Sequence, residues 1–490
     1  MEPDGGGSNF SQDGGGGEDP IPEMPKEFTV SLVPEGVSGM QRVNFALPLP
    51  LGMLQGADEV KVIAGSAEVP AARRALAKYA DGSVRSVQVQ VDVDVSANQS
   101  LTIQLGAAGA PGPELAAVAT TLAGTGNNVH PKVWVVLPAT VLTASGWAGP
   151  LIPQADVANT PLDAWKDICD YDQWDTDAFL TNAASSRDVW LYDRVTAMYR
   201  GYAVTGAKSP LRSAYREAEI YRAGLTISGG VATGLAVPDA NTDLKYYYAQ
   251  NMALHYLLTG DDRYREAAEA VSAKIASMWN PVYNGADRFW TERHAGFALL
   301  AHEWALMVTD DQNATIDSRT EAAVTAFLGT QASYPSNYSD ANARCFAHSA
   351  TAHGEPYGYN GCSPWMSAIL ADALDQYARR VGGTRAAQVK ESLAKLGRIV
   401  ARDGRDGSGK PYYWMGVGTS SDEVDDYDEH WGEPAYVVAL AYAATGKTEP
   451  ALKAAADQLI AGLAANGVVG QTRSFNWQCR SAIMTPALLK

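Results

Sequence analysis

The chain has 490 residues and a net charge of −17, from 38 Lys and Arg against 55 Asp and Glu. A nucleic-acid binder normally carries a basic face, so this balance argues against one, while a local cluster of cations still suits an anionic substrate. No run of about eighteen apolar residues is present to span a bilayer, and the 46 % hydrophobic content is that of a globular protein of two or three domains.

The chain opens with "MEPDGGGSNFSQDGGGGEDPIPEMP". With almost nothing to bury, residues 1–26 are expected to be a disordered tether. Such a stretch follows a bacterial lipoprotein anchor or a removed signal, which points to a secreted, periplasmic or surface-anchored protein. From residue 27 to about 105, "FTVSLVPEG", "QRVNFALPLP", "EVKVIAG", "SVRSVQVQVDVDV" and "SLTIQLG" alternate apolar and polar residues between Gly, Pro and Asn. Period two with short turns predicts a small antiparallel β-barrel or sandwich. A small-residue connector follows and places the end of this domain near residue 125; "HPKVWVVLP" then adds one strand-like run.

Beyond residue 160 the period becomes helical. "GYAVTGAKSPLRSAYREA", "HYLLTGDDRYREAAEA" and "AYAATGKTEPALKAAADQ" repeat one phrase. Gly206, Gly260 and Gly446 suit the left-handed position just past a helix end, so each phrase is the corner of a helical hairpin. The spacing predicts helices over 186–205, 209–223, 243–259, 261–279, 291–309, 317–329, 363–382, 385–402, 432–445 and 448–464, with short ones near 160–168 and 478–488. About six hairpins result, and they stack as an open solenoid or close into a ring that hides both end faces. The expected fold is α+β and multidomain: a β-barrel or sandwich over 27–125, then an (α/α)6 toroid of helical hairpins over 126–490.

The four cysteines, Cys169, Cys345, Cys362 and Cys479, form no C-x-x-C pair, which argues against a zinc ribbon or a thioredoxin-type site. Three disulfide pairings are open, and four reduced, buried thiols are the alternative. Cys345–Cys362 would close a short loop; Cys169–Cys479 would join the first hairpin of a closed ring to the last.

The long connections between helices carry the chemistry, because scaffolds position function on loops. They are "NTDLKYYYAQN", "DRFWTERHAGF", "CFAHSATAHGEPYGYNGCSPWM", "PYYWMGVGTSSDEVDDYDEHWGEPAY" and "QTRSFNWQCR". Trp290, Trp365, Trp414, Trp431 and Trp477 suit stacking on sugar rings, although a single Trp is more often half-buried packing. Tyr246, Tyr247, His348, Tyr357, His430 and Arg473 join them as candidate substrate contacts. His353 and Tyr359 have the chemistry of a base and an acid. Arg293, His294 and Asn251 are placed to bind and neutralise a carboxylate. The bland reading of His348 and His353 is a loop histidine bonded to backbone; His255 and His302, on apolar helices, read as core. Carboxylates offer a competing account. Asp188 and Asp193 opposite Asp425, Asp426, Asp428 and Glu429 would make an inverting glycoside hydrolase, while the acidic run alone reads as a solvated loop or a cation site without EF-hand spacing.

The phrases "FALPLPLG" and "EVPAARRALAKYADGSVRSVQVQV" resemble the N-terminal β-barrel of exo-rhamnogalacturonan-lyase-like proteins. "YDRVTAMYRGYAVTG", "RFWTERHAGFALLAHEWAL" and the His/Tyr loop resemble the toroid domains of alginate and chondroitin lyases; the Asn-Asn-His motif of alginate lyases is absent. The resemblance implies Tyr359 as acid and base, His353 or His294 as base partner, and Asn251 or Arg293 as carboxylate neutraliser. The expected protein is therefore a polysaccharide lyase acting by β-elimination on an acidic, uronic-acid-containing polysaccharide or oligosaccharide. It needs no cofactor, admits a structural Ca²⁺ or other divalent ion, and is expected as a monomer or weak dimer. An inverting glycoside hydrolase on the same ring and a non-catalytic glycan-binding protein are the alternatives.

Overall fold

A computed structural model describes residues 23–182, 186–237, 240–285, 290–354, 358–417, 423–424, 430–467, 469–470 and 472–490. Residues 1–22 of the expected tether lie outside the described residues. The alternating stretches form β1 (Glu27–Pro34), β2 (Met40–Pro48), β3 (Val60–Ala64), β4 (Ala67–Glu68), β5 (Ala71–Lys78), β6 (Val84–Asp94), β7 (Ser100–Leu105), β8 (Leu122–Ala123), β9 (His130–Pro131) and β10 (Val133–Val136). Two antiparallel sheets, ordered β10-β1-β7-β3-β4 and β2-β6-β5, face each other. Val30, Leu32, Val62 and Ile103 from the first meet Phe45, Leu47, Val87, Val89 and Val91 from the second in one buried layer. This is a sandwich, with the residues of each strand alternating in and out. Because β10 pairs with β1, from Ser31↔Val136 to Pro34↔Val133, the sandwich continues past residue 125. The connector's composition marked the loop before the last strand rather than the edge of the domain.

Three short helices follow, α1 (Ala139–Ala144), α2 (Ala164–Ile168) and α3 (Thr176–Asn182), and then the hairpins. Their pairs are α4 (Arg194–Thr205) with α5 (Lys208–Gly224), α6 (Gln250–Thr259) with α7 (Asp262–Met278), and α8 (Glu292–Val308) with α9 (Ala314–Ser333). After the one-turn α10 (Ala350–His353) come α11 (Ser367–Val381) with α12 (Gly383–Asp403) and α13 (Gly432–Ala444) with α14 (Pro450–Asn466). α15 (Thr472–Ala482) and α16 (Thr485–Leu489) end the chain. Two small sheets lie in the connections: β11 (Leu225–Ser228), β12 (Val231–Ala236) and β13 (Ala240–Asn241) form one, and β14 (His348–Ser349), β15 (Asn360–Cys362), β16 (Tyr412–Gly416) and β17 (Glu423–Val424) the other.

Every residue of α6 is buried, as is nearly every residue of α4, α8, α13 and α15, whereas α7, α12 and α14 bury one stripe. A helix apolar all round has neighbours on every side, and an amphipathic one faces water. The first set therefore forms the inner ring with α11, and the second the outer. Inner helices pack in the order α4–α6–α8–α11–α13–α15, and α15 returns to α4, so the ring is closed. Five outer places are filled by α5, α7, α9, α12 and α14. The place beside α15 is taken by α2 from the start of the helical part, which packs on α14 and α15. The Cys169–Cys479 disulfide locks this junction across a sequence separation of 310. Asn476 Nδ2 adds hydrogen bonds to the carbonyls of Val189 at 2.6 Å and Leu191 at 3.1 Å. The second disulfide, Cys345–Cys362, closes a loop of separation 17. Gly206 and Gly260 take positive φ of 60° and 72° at the ends of α4 and α6, where a Cβ on Gly260 would meet Gln88 and one on Gly206 would meet Ala139 N.

The sandwich covers one end of the ring. The polar face of β6 is buried there, and it meets carbonyls that the last turn of α6 leaves unpaired. Ser86 Oγ donates to Leu257 O at 2.6 Å, Asn44 Nδ2 to Thr259 O at 2.8 Å, and Arg74 Nη2 to Gly260 O at 2.6 Å. Arg85 lies 2.5 Å from Asp311 and 3.8 Å over the Tyr79 ring. Among the described residues no helix is long and apolar enough to cross a membrane.

Candidate active site

The sandwich occupies the side of the ring where the inner helices end. Their first turns therefore gather on the opposite side, with the loops before them. The expected helices over 186–205 and 243–259 are shorter in fact. Residues 187–190 and 244–246 are 3-10 turns, and α4 begins only after Tyr192 and Asp193, both at positive φ. That break turns Tyr192 and Asp193 inward.

Trp365, just before α11, His430, just before α13, and Trp477, on α15, form one aromatic cluster. The His430 ring lies 4.3 Å from Trp365 at an interplanar angle of 14°, and 4.8 Å from Trp477 at 25°. Tyr192 and Tyr413 border it, with ring centroids 5.6 Å and 5.5 Å from Trp365. His430 Nδ1 is 3.2 Å from Glu433 Oε1, in the first turn of α13. A carboxylate at Nδ1 holds the proton of a neutral imidazole there, leaving the lone pair on Nε2. Nε2 has no hydrogen-bond partner among the described residues.

Two half-buried guanidiniums flank this cluster. Arg293, in the first turn of α8, sits 5.8 Å from the Trp365 centroid, and Arg473, in the first turn of α15, sits 5.0 Å from that of Trp477. Arg293 is directed at the Tyr192 hydroxyl; among the described residues neither guanidinium has an ion pair, and the Nε of each is buried without a partner. The Tyr192 hydroxyl is buried beside that guanidinium; burial holds its pKa well above that of a free phenol, with the charge and hydrogen bonding of Arg293 pulling the other way.

Asp193 caps α4 and accepts from Thr196 Oγ1 at 2.6 Å and Asn251 Nδ2 at 2.8 Å; burial raises its pKa, opposed by Arg480. Asn251 Oδ1 has no partner. Beneath, Asp372 takes both Arg200 at 2.9 Å and Arg480 at 3.0 Å. The N-cap positions of α6, α11 and α13, which are Ala249, Met366 and Trp431, supply no side-chain cap. The first-turn N–H groups of α11 are bonded to the carbonyls of Ser363, Trp365 and Met366, but the positive ends of these helices face the same side of the ring, which suits an anion.

The other residues singled out in the sequence lie as follows. His294 has both ring nitrogens engaged, Nδ1 with Thr291 Oγ1 at 2.8 Å and Nε2 with Asp243 Oδ1 at 3.2 Å, and burial lowers its pKa to about 4. His348 is fully buried between Glu292 Oε2 at 2.6 Å and the carbonyl of Ser349 at 3.0 Å. Glu292 also accepts from Ser363 N at 2.7 Å, so this dyad ties the start of α8 to the disulfide-bracketed loop. Trp290, Trp414 and Trp431 are enclosed by protein: Trp290 donates to Pro281 O at 3.0 Å, Trp414 packs on His348, and Trp431 lies on Gly462 of α14. Tyr246 and Tyr247 are buried ahead of α6. Tyr359 is half-buried beside β15. Tyr357, Asp425, Asp426, Asp428 and Glu429 lie outside the described residues, as do the side chains of His353 and Asp188. Among the described residues no cluster of metal-ligating groups is present.

Tyr192, Tyr413 and Glu433 were not singled out from the sequence. "EHWGE" did carry a signal for Glu433, since His430 and Glu433 are three apart at a helix start and share a face there. Tyr192 carried none, because its direction depends on a left-handed backbone that the sequence does not announce.

No protein-family profile and no curated protein sequence matches the chain. Among solved structures, one titled a polysaccharide lyase is similar over 66 % of this chain and 96 % of its own, at 12 % identity and a TM-score of 0.46. A glycosyl hydrolase of family 88 from Bacteroides vulgatus is similar over 66 % of this chain and 99 % of its own, at 11 % identity and a TM-score of 0.48.

Proposed function

We propose that the protein is a polysaccharide lyase that cleaves a uronic-acid-containing glycan by β-elimination at the mouth of the ring. One arrangement carries the reading: two guanidiniums without a counter-charge among the described residues, beside a histidine whose far nitrogen is held by a carboxylate. Arg293 binds the carboxylate of the reacting sugar and stabilises the charge that develops on it. His430 Nε2 removes the proton from the carbon next to that carboxylate. The electron pair forms a double bond to the β-carbon as the bond to the glycosidic oxygen breaks. Tyr192, kept protonated by burial, donates its proton to the leaving oxygen, and the imidazolium returns one to the phenol through solvent. Tyr359, which the family resemblance favours as acid, is the second candidate for that proton. Two disulfides suit the oxidising, extracellular setting where such polymers are met.

The assay is incubation with a panel of uronic polymers, reading the ultraviolet absorbance of the unsaturated uronide. The wild type should generate it, and His430→Ala should not. Asp193 favours a second reading, hydrolysis, because burial pushes its carboxyl toward the protonated form that a general acid needs. New reducing ends without the absorbance, lost in Asp193→Asn and kept in His430→Ala, would replace elimination by hydrolysis.

A further inference from the structure

The two arginines that lack an ion pair among the described residues at this site do not sit side by side. In the ring order α4–α6–α8–α11–α13–α15, helices α8 and α15 are three places apart, so Arg293 and Arg473 begin on opposite walls of the mouth. Each approaches a different tryptophan, and the Trp365 and Trp477 rings lie side by side between them, 5.5 Å apart. His430 belongs to the same cluster, in contact with both rings.

Elimination needs one neutralised carboxylate, and one guanidinium meets that need. A second one on the far wall, with its Nε buried and no counter-charge among the described residues, is costly unless an anion completes it. We infer that the mouth reads two acidic groups on successive sugar units. Arg293 takes the carboxylate of the unit that loses its proton, and Arg473 takes that of its neighbour across the scissile bond. The substrate class is then a glycan with acids on consecutive units, and chains in which uronates alternate with neutral sugars are poor ligands. This rests on the uronide reading of the site, but it is tested by binding rather than by turnover.

The probes are the methyl glycosides of glucuronic, galacturonic, mannuronic and guluronic acid and the corresponding homodisaccharides. Binding is measured by calorimetry and by ligand-observed NMR in a His430→Ala background, which prevents turnover. At least one disaccharide should bind more tightly than its monosaccharide. Arg473→Gln should weaken that disaccharide about tenfold or more, the size of a lost charge-assisted bond, while leaving the monosaccharide unchanged. Arg293→Gln should weaken both. If Arg473→Gln weakens monosaccharide and disaccharide equally, the two arginines clamp one carboxylate and the inference is overturned. It is also overturned if Arg473→Gln changes neither. Failure of elimination alone would show separately, as bound disaccharides with no unsaturated product from the wild type. Should none of the eight sugars bind, the uronide reading itself falls and takes this inference with it.

Discussion

The ring is closed by a covalent bond between its ends, and the consequence can be worked out in advance. Cys169–Cys479 spans a sequence separation of 310 and Cys345–Cys362 spans 17. If a bridge acts by restricting the unfolded chain, its contribution grows with the logarithm of the loop it closes. The chain-entropy relation gives about 5.7 kcal/mol for the long bridge and about 3 kcal/mol for the short one at 25 °C. Replacing Cys169 and Cys479 together by Ser should therefore cost more than replacing Cys345 and Cys362, by about 2–3 kcal/mol. The order runs against local intuition, since the short bridge brackets the loop that carries Tyr359 and the long one lies at a seam also held by Asn476. Equilibrium unfolding in urea, on oxidised wild type and the two double variants, measures both costs. Equal losses, or a larger loss for the short bridge, would refute the entropic account and place the stabilisation in native contacts around each bridge.

Glu433→Gln should reduce turnover by roughly 10²-fold or more, because the proton on Nδ1 loses the negative charge that faces it. Binding of the homodisaccharides should change little, and an unchanged urea midpoint would separate this from misfolding. Arg85→Ala leaves Asp311 buried without its cation at the join between sandwich and ring, so it should cost about 3–5 kcal/mol, read as a lowered urea midpoint. Trp414→Ala and Trp477→Ala each remove an enclosed side chain and should each cost about 3–5 kcal/mol in stability, read as a lowered urea midpoint. Burial lowers His255 and His302 to about 3 and His294 to about 4, from an ordinary 6.5. The unfolded chain therefore takes up protons below pH 6.5 that the native state refuses, and stability is lost as pH falls from there toward about 4. Each histidine contributes about 1.4 kcal/mol per pH unit in that window. His302→Gln should flatten the slope by that amount, and comparison with wild type cancels the opposing slope of the raised carboxylates Asp193, Glu217 and Glu303.

Some of the site was legible before the fold was known. The loops "CFAHSATAHGEPYGYNGCSPWM" and "DEHWGEPAY" were marked by their His, Trp and Gly content, and the structure brings Trp365 of the first against His430 of the second. Which member of each loop faces inward was not legible. Trp290, Trp414 and Trp431 have much the same kind of neighbours in sequence as Trp365 and Trp477, and all five are buried, yet it is Trp365 and Trp477 that stack on His430. His348 and His294 look as reactive as His430 until Glu292, Ser349, Asp243 and Thr291 are seen to occupy their nitrogens. Loops have no period, so nothing in them relates position along the chain to direction in space.

What the sequence determined by itself was local. Alternation set the strands, the three- and four-residue spacing set the helices, and Gly206 and Gly260 set the corners, because each of these depends on backbone sterics and on which face can be buried. Ring closure was the one long-range inference the cysteines permitted. The tertiary structure alone decided that α2 fills the place beside α15, that β10 joins β1, and that Arg293 and Arg473 end on opposite walls without an ion pair among the described residues. Those outcomes depend on contacts between segments far apart in the chain. Such contacts form only when closure fixes the distance between helices, and no short stretch of residues encodes that distance.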